Sequence, residues 1–229
     1  MTAGAGLQHS EMFPLLNNYK SNPLELFQIW LNLPKIKKFS KPYYKMLWAE
    51  DIPTVAQKDK DGKSTQVTII AGEIADVKAP APAPDSWAND PANEVGIWLI
   101  KMEANAQWTI PAASIEVNRA LYFYRGSNIN ITGIAIEQYH SVDLLADQPA
   151  IIENGAEDSY LLLLQGKPIN EKVVQHGPFV MNSVEEIQQA FNDYRKTQFG
   201  GWPWLRHDNV HARDLGRFAK YSDGREEIK

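Results

Sequence analysis

The sequence contains no cysteine among its 229 residues. Disulfide bonds, thiolate metal sites and a cysteine nucleophile are therefore excluded. The sequence also lacks an uncharged apolar run of the roughly 18 to 20 residues that cross a bilayer. Its N-terminus has no basic segment followed by an apolar core, the pattern of a signal peptide. We expect a soluble, cytoplasmic protein that is not inserted in a membrane.

An excess of positive charge is absent as well. The formal net charge is −5 at pH 7, and Lys and Arg together number 23 against 28 Asp and Glu. Direct binding of nucleic acid needs a basic face that neutralises phosphates, so we expect none. The hydrophobic fraction of 44% and the charged fraction of 22% are typical of a globular chain that forms one large domain or two small ones.

Short runs of β-branched and aromatic residues, separated by glycine, predict an all-β fold of the sandwich or barrel type. Strands are expected within residues 24–33, 43–49, 66–71 and 95–103, and then within 117–124, 129–131, 134–139, 149–153 and 159–165. Asp61-Gly62 favours a tight hairpin turn. The prolines that alternate through residues 79–84 predict an extended surface loop.

One helix is expected over residues 183–198. Ser183 and Glu186 form a capping-box pattern, in which both side chains satisfy free backbone amides. Apolar residues then recur at helical spacing, and Gly200-Gly201 ends the pattern. The tail from residue 202 to 229 is polar and punctuated by glycine, and we expect it to wrap over the barrel or to be partly mobile.

His9 and Glu11 are the strongest candidates for chemistry. On a β-strand, residues two apart point to the same side, so an imidazole and a carboxylate would share one face. Such a pair forms half of a non-haem metal site, although two ligands do not hold a catalytic metal. The alternative is a strand end with two polar residues facing solvent.

The other histidines favour structural roles. His207 and His211 have the four-residue spacing of a helical metal site, but Asp208 stands in place of a zincin glutamate and the segment has no apolar periodicity. His176 lies in a predicted turn, where a structural hydrogen-bonding role is favoured over a contact with substrate or between barrels. His140 lies close along the chain to a serine and an aspartate, too close for the three side chains to converge as a triad.

Several motifs together resemble the pirin family. They are TAGAGLQHSEM (residues 2–12), LFQIWLNLP (26–34), QGKPI (165–169), QHGPFVMN (175–182), QFGGWPW (198–204) and GRFA (216–219). The resemblance extends over essentially the whole chain. It implies a bicupin, with two cupin-type β-barrels of the jelly-roll kind and a mononuclear iron in the N-terminal barrel.

The resemblance also implies functions for individual residues. His9 and Glu11 would be two of four iron ligands. Some pirins are similar to quercetin 2,3-dioxygenases, so a flavonol or another small aromatic molecule would be the substrate. The iron would act as a Lewis acid and template, and Glu11 could also accept the substrate proton.

The sequence departs from the family at the remaining two ligands. The family takes them from a His-x-His motif upstream of this stretch, and the present sequence contains no such motif. Many relatives carry Trp before Met-Thr-Ala-Gly, so Met1 resembles an internal methionine of a longer protein. We therefore expect a chain truncated at its N-terminus, with residues 1–42 as a remnant of the metal-bearing barrel and residues 43–229 as a C-terminal cupin domain with helix and tail.

Three functions follow from the resemblance. The intact parent would be an iron-binding cupin and a dioxygenase of the quercetin type, whereas the present chain would lack a complete site. Pirins also resemble regulators, so the second barrel could bind a protein partner without metal, in the manner of a transcriptional coregulator. The third is an inactive fragment.

Overall fold

The computed structural model describes residues 1–13, 15–208 and 210–229. They form two compact units. Unit 1 comprises Met1–Met46 and Glu171–Lys229, and unit 2 comprises Leu47–Asn170. The predicted domain boundary between residues 42 and 43 follows the family resemblance and stays a prediction.

Unit 2 is a two-layered antiparallel β structure. A six-stranded sheet has the order β1-β2-β5-β12-β7-β10, and a four-stranded sheet has the order β6-β11-β8-β9. The strands are β1 (Thr54–Lys58), β2 (Ser64–Ala71), β3 (Glu73–Ile74), β4 (Val77–Lys78), β5 (Gly96–Met102), β6 (Gln107–Ile110), β7 (Asn118–Arg125), β8 (Asn128–Ile131), β9 (Ile134–Glu137), β10 (His140–Leu144), β11 (Ala150–Asn154) and β12 (Ser159–Gly166).

The core of unit 2 follows from the alternation of side chains along these strands. In β5, burial alternates at every residue, with Trp98 and Ile100 inside. Strand β12 pairs with both neighbours, which places Leu163 opposite Trp98 on β5 and opposite Leu121 on β7. These side chains join those of the other sheet in one buried apolar cluster. The predicted all-β, cupin-type fold is confirmed.

A buried arginine lies on the same face of β7 as Leu121. Arg119 is 4% exposed. Its Nε donates to Gln165 Oε1 at 2.9 Å and its Nη1 donates to the carbonyl of Pro111 at 2.9 Å. Burial lowers the pKa of Arg119, against the favourable charge of Glu94. These bonds tie β7, β12 and the loop after β6 together, which indicates a structural role.

Unit 1 contains the helix and two short hairpins. Helix α1 is Val184–Thr197, and the hairpins are β13 (Val174–His176) with β14 (Phe179–Met181) and β15 (Phe218–Lys220) with β16 (Glu226–Ile228). The Ser183 hydroxyl accepts from the Glu186 amide, as the capping pattern predicts. The Glu186 carboxylate accepts from the amide of Asn182, one residue before the cap. The predicted C-terminal helix is confirmed.

Two strand predictions are wrong. The described structure has no strand within residues 24–33 or within residues 43–49, where it contains only an isolated bridge between Thr2 and Tyr43. Alternation of apolar and polar residues indicates that an extended segment would have one apolar face. A strand also needs a neighbouring strand with which to form hydrogen bonds, and alternation does not predict one. Short 3₁₀ helices stand at Lys35–Lys37, Ala49–Asp51, Trp87–Asn89, Pro91–Asn93, Gln198–Gly200 and Arg213–Leu215.

The tail contains the hairpin β15–β16, which its sequence did not lead us to expect. Across the part of the chain with described structure, no helix has the length and apolar character that crossing a bilayer requires.

Candidate metal centre

His9 and Glu11 come together, although they do not lie on a strand. His9 Nε2 is 3.8 Å from Glu11 Oε1, and the two side chains are 38% and 58% exposed. Two ligand atoms that each lie about 2.1 Å from one ion can be at most about 4.2 Å apart. The observed separation therefore allows both atoms to bind the same cation, and imidazole with carboxylate suits iron.

The chain before His9 is fixed by backbone contacts. The amide of Thr2 donates to the carbonyl of Tyr43 at 2.8 Å, and the amide of Tyr43 donates back at 3.0 Å. The amide of Ala5 donates to the carbonyl of Ser40 at 2.9 Å. Gly4 approaches the same carbonyl so closely that a Cβ would lie 2.2 Å from its oxygen.

The C-terminal end of α1 holds the next residues. Gly6 has φ +123°, and a Cβ at this position would lie 2.3 Å from the ring of Phe199. The Gln8 side-chain amide donates to the carbonyl of Gln198 at 2.6 Å. Gln198 is the C-cap of α1 and has a left-handed backbone conformation. Through these contacts the cap of α1 positions the backbone directly before His9.

Beyond Glu11, the tail makes the next contact. The amide of His211 donates to Met12 Sδ at 3.2 Å. The His211 ring packs edge-on against Phe218 at 4.6 Å between centroids. The residue before His9 therefore contacts the cap of α1, and the residue after Glu11 contacts the tail.

Two tyrosines lie on the same unit. The rings of Tyr44 and Tyr221 are 5.2 Å apart, and the Tyr221 hydroxyl donates to Glu227 Oε1 at 2.8 Å. Burial raises the pKa of the Tyr44 hydroxyl, and the charges of Tyr221, Glu11 and Glu227 raise it further. Tyr44 is therefore a neutral hydroxyl at neutral pH, within the electrostatic reach of Glu11.

The pair does not form a complete metal site. Within the described residues, no group of three or more His, Cys, Asp or Glu side chains is placed to hold an ion. His9 and Glu11 supply two of the three protein ligands that a site of two histidines and one carboxylate needs, and the described residues place no third ligand beside them.

The remaining histidines make other contacts. The His207 ring stacks on Trp202 at 6.0 Å, and Asp208 pairs with Arg206 at 2.8 Å. Between His207 and His211, residue 209 lies outside the described residues. The His176 ring packs edge-on against Phe191 at 5.5 Å.

His140 also has a structural environment. Its Nδ1 contacts the carbonyls of Glu137 and Gln138 at 3.1 and 3.2 Å. It lies on β10 next to Ser141, and adjacent residues of a strand project to opposite faces. A catalytic triad is not formed there.

The two-layered antiparallel fold of unit 2 is that of a cupin-type β protein. Comparisons with known sequences and structures show which family of such proteins this chain resembles. The sequence profile of the pirin C-terminal cupin domain matches residues 97–200. Pirin-1 of Arabidopsis thaliana is 33% identical over 202 residues, which cover 87% of this chain and 64% of that protein. Pirin of Homo sapiens is 31% identical over 207 residues, which cover 87% and 64%.

A solved structure is also similar to this chain in both fold and sequence. The crystal structure of quercetin 2,3-dioxygenase from Acinetobacter baumannii matches with a TM-score of 0.62 and 27% identity, over 74% of this chain and 55% of that chain. The chain belongs to the pirin family of the cupin superfamily. It spans about two thirds of the length of these curated relatives, 64% in both cases.

Proposed function

We propose that this protein is a pirin-type cupin whose N-terminal segment supplies two ligands, His9 and Glu11, to an iron ion. The observation that carries the proposal is the 3.8 Å approach of His9 Nε2 to Glu11 Oε1 on a segment fixed from both sides. The named activity of the Acinetobacter relative supports a flavonol as the substrate class of a complete site. The compartment we propose is the cytoplasm.

A complete four-ligand site, of the kind that the resemblance implies, needs two more ligands than the described residues bring together. We propose that the 229-residue chain alone binds iron weakly and does not consume quercetin. In a complete site, Glu11 would be placed to accept the substrate proton, because its carboxylate is half exposed and its neighbour His9 remains within 3.8 Å.

Anaerobic titration with Fe²⁺ tests the proposal. Wild type, His9→Ala and Glu11→Gln are compared with His140→Ala, an exposed histidine of unit 2. We expect His9→Ala and Glu11→Gln to weaken binding by at least the roughly 10- to 100-fold that the loss of an outer-shell partner causes. His140→Ala should leave binding unchanged. Equal binding by all four proteins would contradict the assignment.

The second candidate is a protein-binding module that needs no metal. The observation in its favour is the interior of unit 2, where Ile69, Ile152, Leu161 and Leu163 are all 0% exposed and form a filled apolar core. Such a core is stable without a metal ion. Capture experiments with the full chain as bait, with and without chelator, test this candidate, and the absence of any partner above background would count against it.

A further inference from the structure

The sequence contains one Asn-Gly pair, Asn154-Gly155. In such a pair the backbone nitrogen of the glycine can attack the asparagine Cγ, because glycine has no side chain to hinder the approach. A C–N bond forms, and the side-chain nitrogen leaves as ammonia together with the proton of the backbone amide. Water then opens the resulting succinimide to aspartate or isoaspartate. The reaction involves no oxidant, and water is its only co-reactant.

The Asn-Gly pair lies where three turns of unit 2 meet, a region called the closed end below. The three turns are residues 103–106 between β5 and β6, residues 126–127 between β7 and β8, and residues 155–158 between β11 and β12. The amide of Asn105 donates to the carbonyl of Gly155 at 2.7 Å, and the amide of Gly155 donates to the carbonyl of Asn128 at 3.0 Å. The amide of Ala104 donates to Asp158 Oδ1 at 3.2 Å. Hydrogen bonds therefore join all three turns.

The Asn154 side chain holds the closed end together from inside. Its Nδ2 donates to the carbonyls of Met102, Glu103 and Glu157 at 3.3, 2.7 and 2.8 Å. Asn154 is 8% exposed, and its Oδ1 is buried and accepts no hydrogen bond from the described residues. Carbonyl oxygens only accept hydrogen bonds, so this position requires a side chain that donates.

Gly155 is required by a close approach of the β7–β8 turn. A Cβ at this position would lie 2.5 Å from Asn128 Oδ1 and 2.7 Å from the carbonyl oxygen of Asn128. The packing of the closed end therefore demands both residues of a reactive pair. In the closed state their reaction is opposed, because the side-chain amide of Asn154 is held by its three bonds. The bond to Asn128 also retains the proton that the Gly155 nitrogen must lose.

We propose that Asn154 is a deamidation site that reacts when the closed end opens, and that its deamidation prevents the closed end from forming again. An ionised aspartate has no N–H and would place a buried charge against three carbonyl oxygens. Isoaspartate would in addition insert a carbon into the main chain at the end of β11, where Asn154 pairs with Ile129 of β8. A transient opening would thereby become permanent.

Peptide mapping of the 229-residue chain, incubated at mildly alkaline pH, measures the fraction of Asn154 converted to aspartate and isoaspartate. In guanidinium chloride, which removes the fold, conversion gives the rate of the unprotected pair. The folded wild type should react at least roughly 100-fold more slowly, because opening breaks the three bonds of the Asn154 side chain and that of the Gly155 amide.

Asp158→Ala tests whether opening of the closed end controls the rate. The substitution removes the acceptor of the Ala104 amide and an ion pair with Lys101 at 3.5 Å, and it leaves the Asn-Gly pair intact. Deamidation of the folded protein should accelerate by roughly fivefold or more. The matched control is Glu73→Ala, which removes an ion pair with Lys78 at 3.3 Å in the β3–β4 hairpin and should not change the rate. In guanidinium chloride, wild type and both variants should react equally fast.

Asn154→Asp tests the consequence of the reaction. The melting temperature should fall by roughly 6 °C or more, since the three donated bonds are lost. Asn130→Asp is the control, because the Asn130 side-chain oxygen accepts from the Gly133 amide at 2.7 Å and an aspartate can accept the same bond. It should shift the melting temperature by less than roughly 2 °C.

Three results would overturn the proposal. The first is deamidation of the folded wild type at the rate seen in guanidinium chloride. The second is a rate in folded Asp158→Ala that does not exceed the rate in Glu73→Ala. The third is an Asn154→Asp protein that melts at the temperature of wild type. The kinetic comparison stands by itself if Asn154→Asp does not fold.

Discussion

Gly6→Ala should detach the segment that carries His9 from the cap of α1. The new Cβ would lie 2.3 to 2.6 Å from three atoms of the Phe199 ring, at a backbone φ of +123°. The backbone conformation costs an L-residue about 1–2 kcal/mol, and forcing an extra methyl into packed surroundings costs typically ~1–3 kcal/mol. The sum, about 2–5 kcal/mol, is comparable with the net contribution of the four hydrogen bonds that hold residues 1–8, about 2–6 kcal/mol in total, so we expect the segment to open locally far more often than in wild type.

A matched glycine separates the two costs. Gly62 has φ +77° and nothing within 4 Å of the position of a Cβ, so Gly62→Ala carries the backbone cost alone. Phe199→Ala in the background of Gly6→Ala should restore part of the loss, since the ring is what the methyl meets. We expect a coupling of about 1 kcal/mol or more between the two positions.

Hydrogen exchange followed by mass spectrometry measures the local opening of residues 1–8. The amides of Thr2 and Ala5, which donate to Tyr43 and Ser40, should lose protection in Gly6→Ala and keep it in Gly62→Ala. The reasoning would be refuted by equal protection of these amides in Gly6→Ala and wild type, or by the absence of any rescue from Phe199→Ala.

Three further outcomes are expected. Leu163→Ala should lower the free energy of unfolding by about 2–5 kcal/mol in urea titrations, since Leu163 is 0% exposed. Ile115→Ala, at a position that is 77% exposed, should change it by less than about 0.5 kcal/mol. Equal effects of the two substitutions would contradict the described core. Ser183→Ala should cost about 1 kcal/mol through the loss of the cap on the Glu186 amide, and an unchanged melting temperature would contradict that role. The hydrogen bond from the Asn182 amide, followed by that from Lys35, lowers the pKa of Glu186, so the stabilisation by this carboxylate is present above the ordinary carboxyl pKa and is lost as the pH falls through the lowered pKa. Between about pH 6 and 2, the melting temperature of Glu186→Gln should therefore fall less than that of wild type. Identical pH profiles would refute this linkage.

Patterns along single strands predicted most of unit 2. Alternation in residues 95–103 became β5, and the apolar run in residues 159–165 became β12, the buried strand between β5 and β7. The same rule failed at residues 24–33, where the alternation is as clear but no ladder forms. Side-chain periodicity reports which face is apolar, and it contains no information on which strand lies alongside.

Other elements could have been found from turn residues. The hairpin β15–β16 surrounds Asp223-Gly224, a dipeptide that favours tight turns between strands. It was missed because its two strands are only three residues each and carry charges, so neither has the alternation of a buried strand.

The sequence selected the two candidate ligands, whose role stays a prediction, but it did not reveal the contacts that hold their segment in place. His9 and Glu11 were selected from residue type and spacing, and they do approach one another. Gln8, Phe199 and Met12 were not selected, because their contacts join positions that are some 190 or more residues apart along the chain. The repeated Ala-Gly before His9 was the available signal, since glycine permits a positive φ and close approach to another side chain.

The coordination of iron loaded into the 229-residue chain tests the central claim most directly. X-ray absorption spectroscopy of the anaerobic Fe²⁺ complex counts the imidazole ligands around the metal, and the His9→Ala variant provides the reference. If His9 and Glu11 are the only protein ligands from the described residues, the spectrum should contain one imidazole per iron, with the remaining positions filled by light oxygen donors, and this imidazole should be absent in His9→Ala. Three imidazoles per iron, or a spectrum that His9→Ala leaves unchanged, would contradict the account.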